Sequence, residues 1–244
     1  MIRPLLVWLA LISALFAAPE TVMRDGVRYF IWRAEPGKVR VLWKDDAGKQ
    51  LGDLPTAKAY LEGKGEKPLM LMNGGIFEPG RIPSGLMVQD GKPLRPLNPR
   101  DGAGNFFMKP NGIFLISGKG ARVLETSKYP PQGEKVSYAV QSGPLLSENG
   151  KVHPAFNKGS DSRLLRNGVG VAEDGTVVFA ISDSKGEKWP NLYGFADLFL
   201  SLGCKDALFL DGDISQMRFG ENLGKGSNQF GSVIAVVEEV KSAE

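Results

Sequence analysis

Two carboxylates stand close together where an apolar run ends near the C-terminus. Asp211 and Asp213 follow Ala207 to Leu210, which has the length and composition of a buried strand, and Ser215 comes two residues later. A strand holds its terminal side chains rigidly, and Gly212 lets the backbone approach a ligand closely. Paired carboxyl groups can act as proton donor and as base or nucleophile. The same Asp-Gly pair is also typical of an ordinary turn, so this stretch alone leaves both interpretations open.

Three further apolar runs also end in small polar residues. These residues are Asn73, Gly74 and Gly75 after Pro68 to Met72, Gln141 and Ser142 after Val136 to Val140, and Asp183 after Val177 to Ile181. Adjacent glycines are costly in ordinary structure, because glycine loses the most conformational freedom on folding. The sequence therefore predicts a sharp turn or a close backbone contact at Gly74 and Gly75. The loop that follows, which includes Ser84, fits either the rim of a site or a plain connection.

If these strand ends converge, they form a site with acids and cations together. Asp211, Asp213 and Asp183 are the candidate catalytic residues. Arg163 and Arg166 precede a clear hairpin, and arginine binds phosphate with its planar fork, although solvated surface charges are the alternative. The combination suits a sugar phosphodiester. The candidate substrate-binding residues are Asn73, Gly74, Gly75, Ser84, Gln141, Ser142, Arg163, Arg166 and Ser215.

The elements that would position these residues are mostly strands. Two segments have helical spacing of apolar residues: 53–62, capped by Asp53, and 192–200, capped by Asn191. Nine Asn-Gly or Asp-Gly dipeptides, most of them between apolar runs, favour antiparallel pairing over βαβ crossovers. One of these hairpins is expected around Asn111 and Gly112, followed by a linker over 117–133. The predicted fold class is α+β, a mostly antiparallel β-sheet with two or more packed helices in a single domain.

Composition limits the other classes of function. The chain has 244 residues, is 42% hydrophobic and carries a net charge of +3, with no basic run interleaved with aromatic residues. Nucleic-acid binding is therefore not indicated. The lone Cys204 excludes an internal disulfide, and a Ser/His/Asp triad would depend on the lone His153. The oligomeric state stays open.

The N-terminus predicts export. Leu5 to Phe16 is an apolar run behind Arg3, too short for a comfortable membrane span. Residues 1–18 are predicted to be a signal peptide, with an uncleaved N-terminal anchor as the alternative and as the only expected membrane contact. The folded domain, 19–244, would then lie in the periplasm or cell envelope or be secreted.

Five motifs occur together in an order that resembles the phosphodiester glycosidase family. They are Asn-Gly-Gly-Ile-Phe at 73–77, Pro-Ser-Gly-Leu at 83–86, Gln-Ser-Gly-Pro-Leu-Leu at 141–146, Arg166 with Gly170, and Leu-Gly-Cys-x-x-Ala-Leu-x-Leu-Asp-Gly at 202–212. The resemblance covers about residues 68 to 240 and implies an exported enzyme that hydrolyses a sugar-1-phosphodiester, with no cofactor required. Family members commonly continue with a second glycine where this chain has Asp213.

Two other functions fit parts of the sequence. The apolar run followed by Asp211 and Asp213 imitates the motif of haloacid-dehalogenase-type phosphatases, which bind Mg²⁺, and the same pair could hold a divalent cation through its oxygens. That motif normally opens its fold, whereas only about thirty residues follow it here. The third hypothesis is a non-catalytic envelope protein that binds glycans, which exposed aromatic residues such as Trp189 or Tyr193 in the cleft would favour.

Overall fold

The computed structural model describes residues 18–226 and 228–238, so the predicted signal or anchor segment lies outside the described residues except for Ala18. The helices are α1 (Leu54–Gly63) and α2 (Leu192–Ser201). The strands are β1 (Glu20–Arg24), β2 (Val27–Ala34), β3 (Val39–Leu42), β4 (Lys67–Asn73), β5 (Phe77–Glu78), β6 (Ile82–Pro83), β7 (Met87–Gln89), β8 (Lys92–Arg95), β9 (Gly112–Ser117), β10 (Gly120–Glu125), β11 (Val136–Ser142), β12 (Leu145–Glu148), β13 (Lys151–Val152), β14 (Asn167–Ala172), β15 (Val177–Ser182), β16 (Cys204–Asp211), β17 (Met217–Phe219) and β18 (Val233–Glu238).

Three antiparallel sheets form the body of the fold. The largest has seven strands in the order β1-β2-β15-β14-β16-β12-β13. A five-stranded sheet, β10-β9-β11-β7-β8, and a four-stranded sheet, β17-β4-β18-β3, accompany it, and β5 pairs with β6. The large central core draws on all three sheets and includes Trp32, Met72, Phe114, Val140 and Phe179. Since one continuous core joins the sheets, the described residues form one domain, as the sequence predicted.

Each helix covers the outer face of one sheet. Phe195, Leu198 and Phe199 of α2 pack on Val178 and Phe209 of the seven-stranded sheet. Leu54, Ala57 and Leu61 of α1 pack on the four-stranded sheet. The predicted caps are confirmed, because the Asp53 side chain accepts from the Thr56 amide and that of Asn191 from the Gly194 amide, both at 2.8 Å. Neither helix has the length and apolar character needed to cross a membrane.

The predicted α+β class, with a mostly antiparallel sheet and two packed helices, is confirmed, but one predicted hairpin is wrong. The segment before Asn111 is a short 3₁₀ turn rather than a strand, and the Asn111 side chain is buried and donates to the Phe106 carbonyl at 2.8 Å. β9 pairs instead with β10, which lies inside the segment that we expected to be a linker. Asn-Gly is therefore a buried brace here and not a hairpin turn.

Candidate active site

The central strands of the seven-stranded sheet bring several predicted site residues to one edge. Asn167, at the start of β14, lies opposite Ile181 near the end of β15 and opposite Asp211 at the end of β16. Arg166 precedes Asn167, and its amide donates to the Ser182 hydroxyl at 3.0 Å. Antiparallel pairing thus places the end of two strands beside the beginning of the strand between them.

Two buried asparagines fix the position of Asp211. The Oδ1 atom of Asn73 accepts from Asn167 Nδ2 at 3.0 Å and from the Gln216 amide at 2.8 Å, while Asn73 Nδ2 donates to Asp211 Oδ2 at 3.3 Å. The Oδ1 atom of Asn167 accepts from the Asp211 amide at 2.8 Å. Both asparagines are completely buried. Because β4 supplies Asn73, the network also ties the four-stranded sheet to the seven-stranded one.

Burial raises the pKa of Asp211 to about 6. Hydrogen bonds from the Gly212 amide and from Asn73 act in the opposite direction, and the charge of Asp213 adds a smaller increase to the pKa. Asp213 itself is exposed at the turn that follows β16. The proton affinity of Asp211 is therefore set mainly by loss of water and only secondarily by the neighbouring carboxylate.

Arg166 is a buried cation beside this edge. Its Nε donates to the Pro190 carbonyl at 3.1 Å, its Nη2 donates to the Ser162 carbonyl at 3.0 Å, and its guanidinium carbon lies 5.6 Å from the centre of the Phe209 ring. Burial lowers the pKa of Arg166 to about 10, and the charge of Asp213 opposes that fall, so the side chain stays charged at neutral pH. The third nitrogen, Nη1, makes no hydrogen bond within the described residues, so Arg166 keeps one unused donor.

Gly74 and Gly75 pack so closely against neighbouring residues that neither position has room for a side chain. A Cβ atom at Gly74 would lie 2.3 Å from the Ser232 hydroxyl, and one at Gly75 would lie 3.0 Å from the Gln141 carbonyl. The Ser142 hydroxyl donates to the Leu210 carbonyl at 2.9 Å and accepts from the Ile76 amide at 3.2 Å. Ser142 thus joins the loop after Gly75 to the strand that carries Asp211.

Unpaired polar atoms accumulate around the turn after Asp211. The hydroxyls of Ser215 and Ser232 and the Oε1 atom of Gln216 are buried without a hydrogen-bond partner in the part of the chain that the structure describes. Such groups cost free energy unless a ligand or water pairs with them. Their position next to Asn73 and Gly74 is consistent with a site that binds hydroxyl-bearing molecules.

Four predicted residues lie apart from this cluster. The side-chain oxygen of Gln141 accepts from the backbone amides of Leu86 and Asn98, so Gln141 fixes the loop that also holds the buried Ser84. Asp183 is paired with Arg28, and it lines a separate cavity of about 510 Å³ together with Arg28, Lys185 and Arg218. Arg163 is exposed and lines another cavity near the start of α2.

The structure bears on the three other hypotheses, which are a metal site, a phosphatase and a glycan-binding protein. Over the described ranges, no three His, Cys, Asp or Glu side chains are grouped to hold a metal, and a cation on Asp211 and Asp213 stays a prediction. A haloacid-dehalogenase-type fold is not favoured, because the sheet that carries Asp211 is antiparallel. Glycan binding stays a prediction: Tyr193 lines a cavity that does not include Asp211, and the indole nitrogen of Trp189 donates to the Asp183 carbonyl.

The sequence reasoning missed two residues. Asn167 looked like part of a turn dipeptide, but it is the residue that holds the Asp211 amide. Ser232 precedes the last strand without any motif, and only its contact with Gly74 marks it. The one sequence signal at Asn167 is the Asn-Gly pair at 167–168, which the structure places at the start of β14 and not in a turn.

Comparison with known sequences identifies a family. A sequence model described as phosphodiester glycosidase matches residues 67–237. The uncharacterized protein YigE of Escherichia coli K12 is 34% identical over 205 residues, which cover 82% of this chain and 78% of that protein.

Solved structures show the same fold. The catalytic domain of zebrafish N-acetylglucosamine-1-phosphodiester alpha-N-acetylglucosaminidase, auto-inhibited by its pro-peptide, superposes with a TM-score of 0.63 at 16% identity, covering 91% of this chain and 82% of that domain. A hypothetical protein from Synechocystis gives 0.54 at 12% identity, covering 91% and 61% of the two chains. A protein of Burkholderia pseudomallei K96243, provisionally described as exported, gives 0.54 at 12% identity, covering 87% and 74%.

Proposed function

The chain belongs to the phosphodiester glycosidase family, and on that premise we propose that it is a hydrolase that cleaves the glycosidic bond of a sugar-1-phosphodiester. The observation that carries the proposal is the Asp211 carboxyl, partly buried at a strand end and held by Asn73, with its pKa raised to about 6. A carboxyl group in this state can keep a proton at mildly acidic pH and deliver it to a leaving group.

The leaving group supports the same role for Asp211. When the bond between the sugar C1 and the phosphodiester oxygen breaks, the departing phosphate monoester has a conjugate acid with a pKa of about 6. Proton transfer is efficient when donor and acceptor have similar pKa values. Asp211 therefore donates its proton to the departing oxygen, and the free Nη1 of Arg166 offers a charge for the phosphate.

The second carboxylate completes the reaction. Asp213, exposed two residues further on, takes a proton from the attacking water as the water oxygen bonds to C1. The products are a free sugar and a phosphate monoester, and the two carboxyl groups regain their starting states by exchanging protons with solvent. No metal or other cofactor is required in this scheme.

Replacement of one carboxyl group tests the proposal. Asp211→Asn should abolish release of reducing sugar from a panel of sugar-1-phosphodiesters, with kcat lowered at least about a hundredfold because the proton donor is lost. The matched control is Asp206→Asn, which makes the same change near the other end of β16 and should keep full activity. Undiminished activity in Asp211→Asn would remove Asp211 from the mechanism.

The same assay separates the alternative functions. A metal-dependent phosphatase would release inorganic phosphate and stop when EDTA is added. A non-catalytic glycan-binding protein would release neither product but would still retain a glycan on a column. Hydrolysis of the sugar linkage that persists in EDTA supports the glycosidase alone.

Export is the second part of the proposal. The apolar run at residues 5–16 supports it, as does the similarity to the Burkholderia protein described as exported. Cell fractionation should find the protein outside the cytoplasm, and mass spectrometry of its N-terminus should show whether residues 1–18 are removed. Recovery of the intact chain in the cytoplasmic fraction would contradict export.

A further inference from the structure

A second cavity lies near the start of α2. It has a volume of about 370 Å³, within the range of small-molecule sites. Residues from three parts of the chain line it: the β1–β2 hairpin with Arg24 and Tyr29, the loop with Lys158 and Arg163, and the beginning of α2 with Tyr193. This cavity is separate from the Asp211 turn, and the reaction proposed above does not use it.

The charges in this cavity favour an anion. Arg24 is neutralised by Asp197, since its Nε lies 2.8 Å from an Asp197 carboxylate oxygen. Lys158 and Arg163, in contrast, form no ion pair within residues 18–226 and 228–238, and the exposed Asp25 is the only other acid among the lining residues. Two cations are thus free to meet a ligand, and the amides that begin α2 add positive potential.

Tyr29 brings a hydroxyl group to the same cavity. Tyr29 is 2% exposed, and its ring stacks on Phe195 with the centroids 6.1 Å apart. Its hydroxyl makes no hydrogen bond within the described chain, although Tyr29 lines the cavity. Burial raises the pKa of Tyr29, so the hydroxyl remains a neutral donor. Tyr193, with the Lys158 ammonium 5.9 Å from its ring centre, supplies an aromatic wall of the kind that sugars pack against.

Arg166 connects this cavity with the candidate active site. Its Nε bonds to the carbonyl of Pro190, which lines the cavity, while the charge of Asp213 acts on it from the side of Asp211. Tyr29 lies opposite Ser182 in the sheet, and Ser182 binds the Arg166 amide. Arg166 therefore lies between the two regions and contacts residues of both.

We propose that this cavity is a subsite for a saccharide that bears an acidic group, phosphate or carboxylate, beyond the bond that is cleaved. Lys158, Arg163 and the Tyr29 hydroxyl bind the acidic group, and Tyr193 packs against the sugar ring. The role of the cavity as a substrate subsite rests on the proposed function. Binding of an acidic sugar in the cavity is independent of that function.

Direct binding tests the proposal independently of catalysis. Glucose 6-phosphate, glucuronate, glucose and inorganic phosphate are titrated separately into the full chain by calorimetry. We expect at least one acidic sugar to bind more tightly than glucose and more tightly than phosphate, and Arg163→Gln and Tyr29→Phe each to weaken it about tenfold. The control Lys151→Gln removes an exposed lysine of β13 and should leave the affinity unchanged. The two acidic sugars distinguish a phosphate from a carboxylate ligand.

Three outcomes would overturn the proposal: no binding of either acidic sugar, equal binding of inorganic phosphate, or affinities that Arg163→Gln and Tyr29→Phe do not change. If hydrolysis is observed, Arg163→Gln should also lower kcat/KM for acidic substrates relative to neutral ones about tenfold. Hydrolysis without this change in preference rejects the subsite and keeps the proposed function. Binding without hydrolysis rejects the proposed function and keeps the cavity as a binding site.

Discussion

Asp211 is held in a setting that favours its protonated form. Its backbone amide and one carboxylate oxygen are bound by Asn167 and Asn73, whose own amides are fixed by the neighbouring backbone. The hydrogen bonds stabilise the charged form, yet burial outweighs them and raises the pKa of the carboxyl group. Such an arrangement lowers the stability of the folded chain at neutral pH, which is typical of a residue kept for its chemistry.

The pH dependence of stability should reveal this cost. An unfolded aspartate has a pKa of about 3.9, below the folded value of about 6, so the folded chain binds more protons between these limits. The contribution of Asp211 to the free energy of unfolding therefore falls by roughly 1 to 3 kcal/mol as the pH rises from 4 to 7. Asp211→Asn should gain stability relative to the wild type over that range in urea denaturation. A difference between the two proteins that does not change with pH would contradict the raised pKa.

The pH dependence of catalysis should also report the protonation of Asp211. If Asp211 is the proton donor, kcat/KM declines as the pH rises through about 6, because the fraction of protonated Asp211 falls. This decline is measured in the pH profile of kcat/KM for hydrolysis. An activity that instead increases through pH 6 would make Asp211 the base and would exchange its role with that of Asp213.

Asn167 should matter for activity more than its turn-like sequence suggests. Asn167→Ala removes the bonds to the Asp211 amide and to Asn73, and we expect a loss of at least tenfold in kcat together with roughly 1 to 3 kcal/mol of stability. Asn222→Ala, at an exposed position where the side chain accepts one long bond from Lys225, is the control and should change neither quantity much. Normal kcat in a destabilised Asn167→Ala protein would make the residue purely structural.

At the scale of elements, α2 depends on two glycines beneath it. A Cβ atom at Gly168 would lie 2.8 Å from the Leu208 carbonyl and 3.1 Å from the rings of Phe195 and Phe199. A Cβ atom at Gly170 would lie 2.8 Å from atoms of Cys204 and Phe199. The glycines of β14 therefore let the helix lie close to the sheet, directly beside the strand end that presents Arg166 and Asn167.

Substituting the first of these glycines tests the packing. Gly168→Ala should destabilise the protein by roughly 1 to 3 kcal/mol, because the added carbon would press on the Leu208 carbonyl of β16 and on the rings of α2. Gly63→Ala, at a helical position with no atom within 4 Å of the added carbon, is the control and should be neutral or slightly stabilising. Equal stabilities of the two variants in thermal denaturation would show that the helix adjusts freely.

Much of this architecture could be predicted from local signals, and the failures have physical causes. Both helices and their caps follow from apolar spacing and from Asp53 and Asn191, and the β14–β15 hairpin follows from its β-branched residues. The β9–β10 hairpin was missed because Asn111 imitates a turn residue while being buried. For the site, strand ends identified Asn73 and Asp211, but whether Gln141 faces a ligand or a loop depends on contacts with Asn98 that sequence patterns do not show.

For the whole molecule, stability is concentrated between the sheets. Phe114 of the five-stranded sheet and Phe179 of the seven-stranded sheet are fully buried, with rings 6.1 Å apart and nearly perpendicular. Since the same central core supports all three sheets, damage there affects every strand end that the site uses.

A substitution that creates a cavity in this core should destabilise all three sheets together. Phe179→Ala is expected to cost about 3 to 5 kcal/mol, because it removes a buried ring that the surrounding sheets cannot replace. Met23→Ala, at a position that is 63% exposed, should change stability by less than about 0.5 kcal/mol. Urea denaturation followed by circular dichroism and by tryptophan fluorescence should give coincident transitions. Separate transitions would show that the sheets unfold independently.

The Asn73 side chain joins segments that are far apart in the sequence. The partners of its hydrogen bonds are Asn167, Asp211 and Gln216, which lie 94, 138 and 143 positions further along the sequence. During synthesis, the Asp211 carboxyl cannot take its place until Gln216 has left the ribosome, so shorter nascent chains lack the complete site. In refolding, closure of such long loops is slow. Recovery of hydrolysis should therefore never precede recovery of the overall fold, and a turnover assay would report the last step of folding.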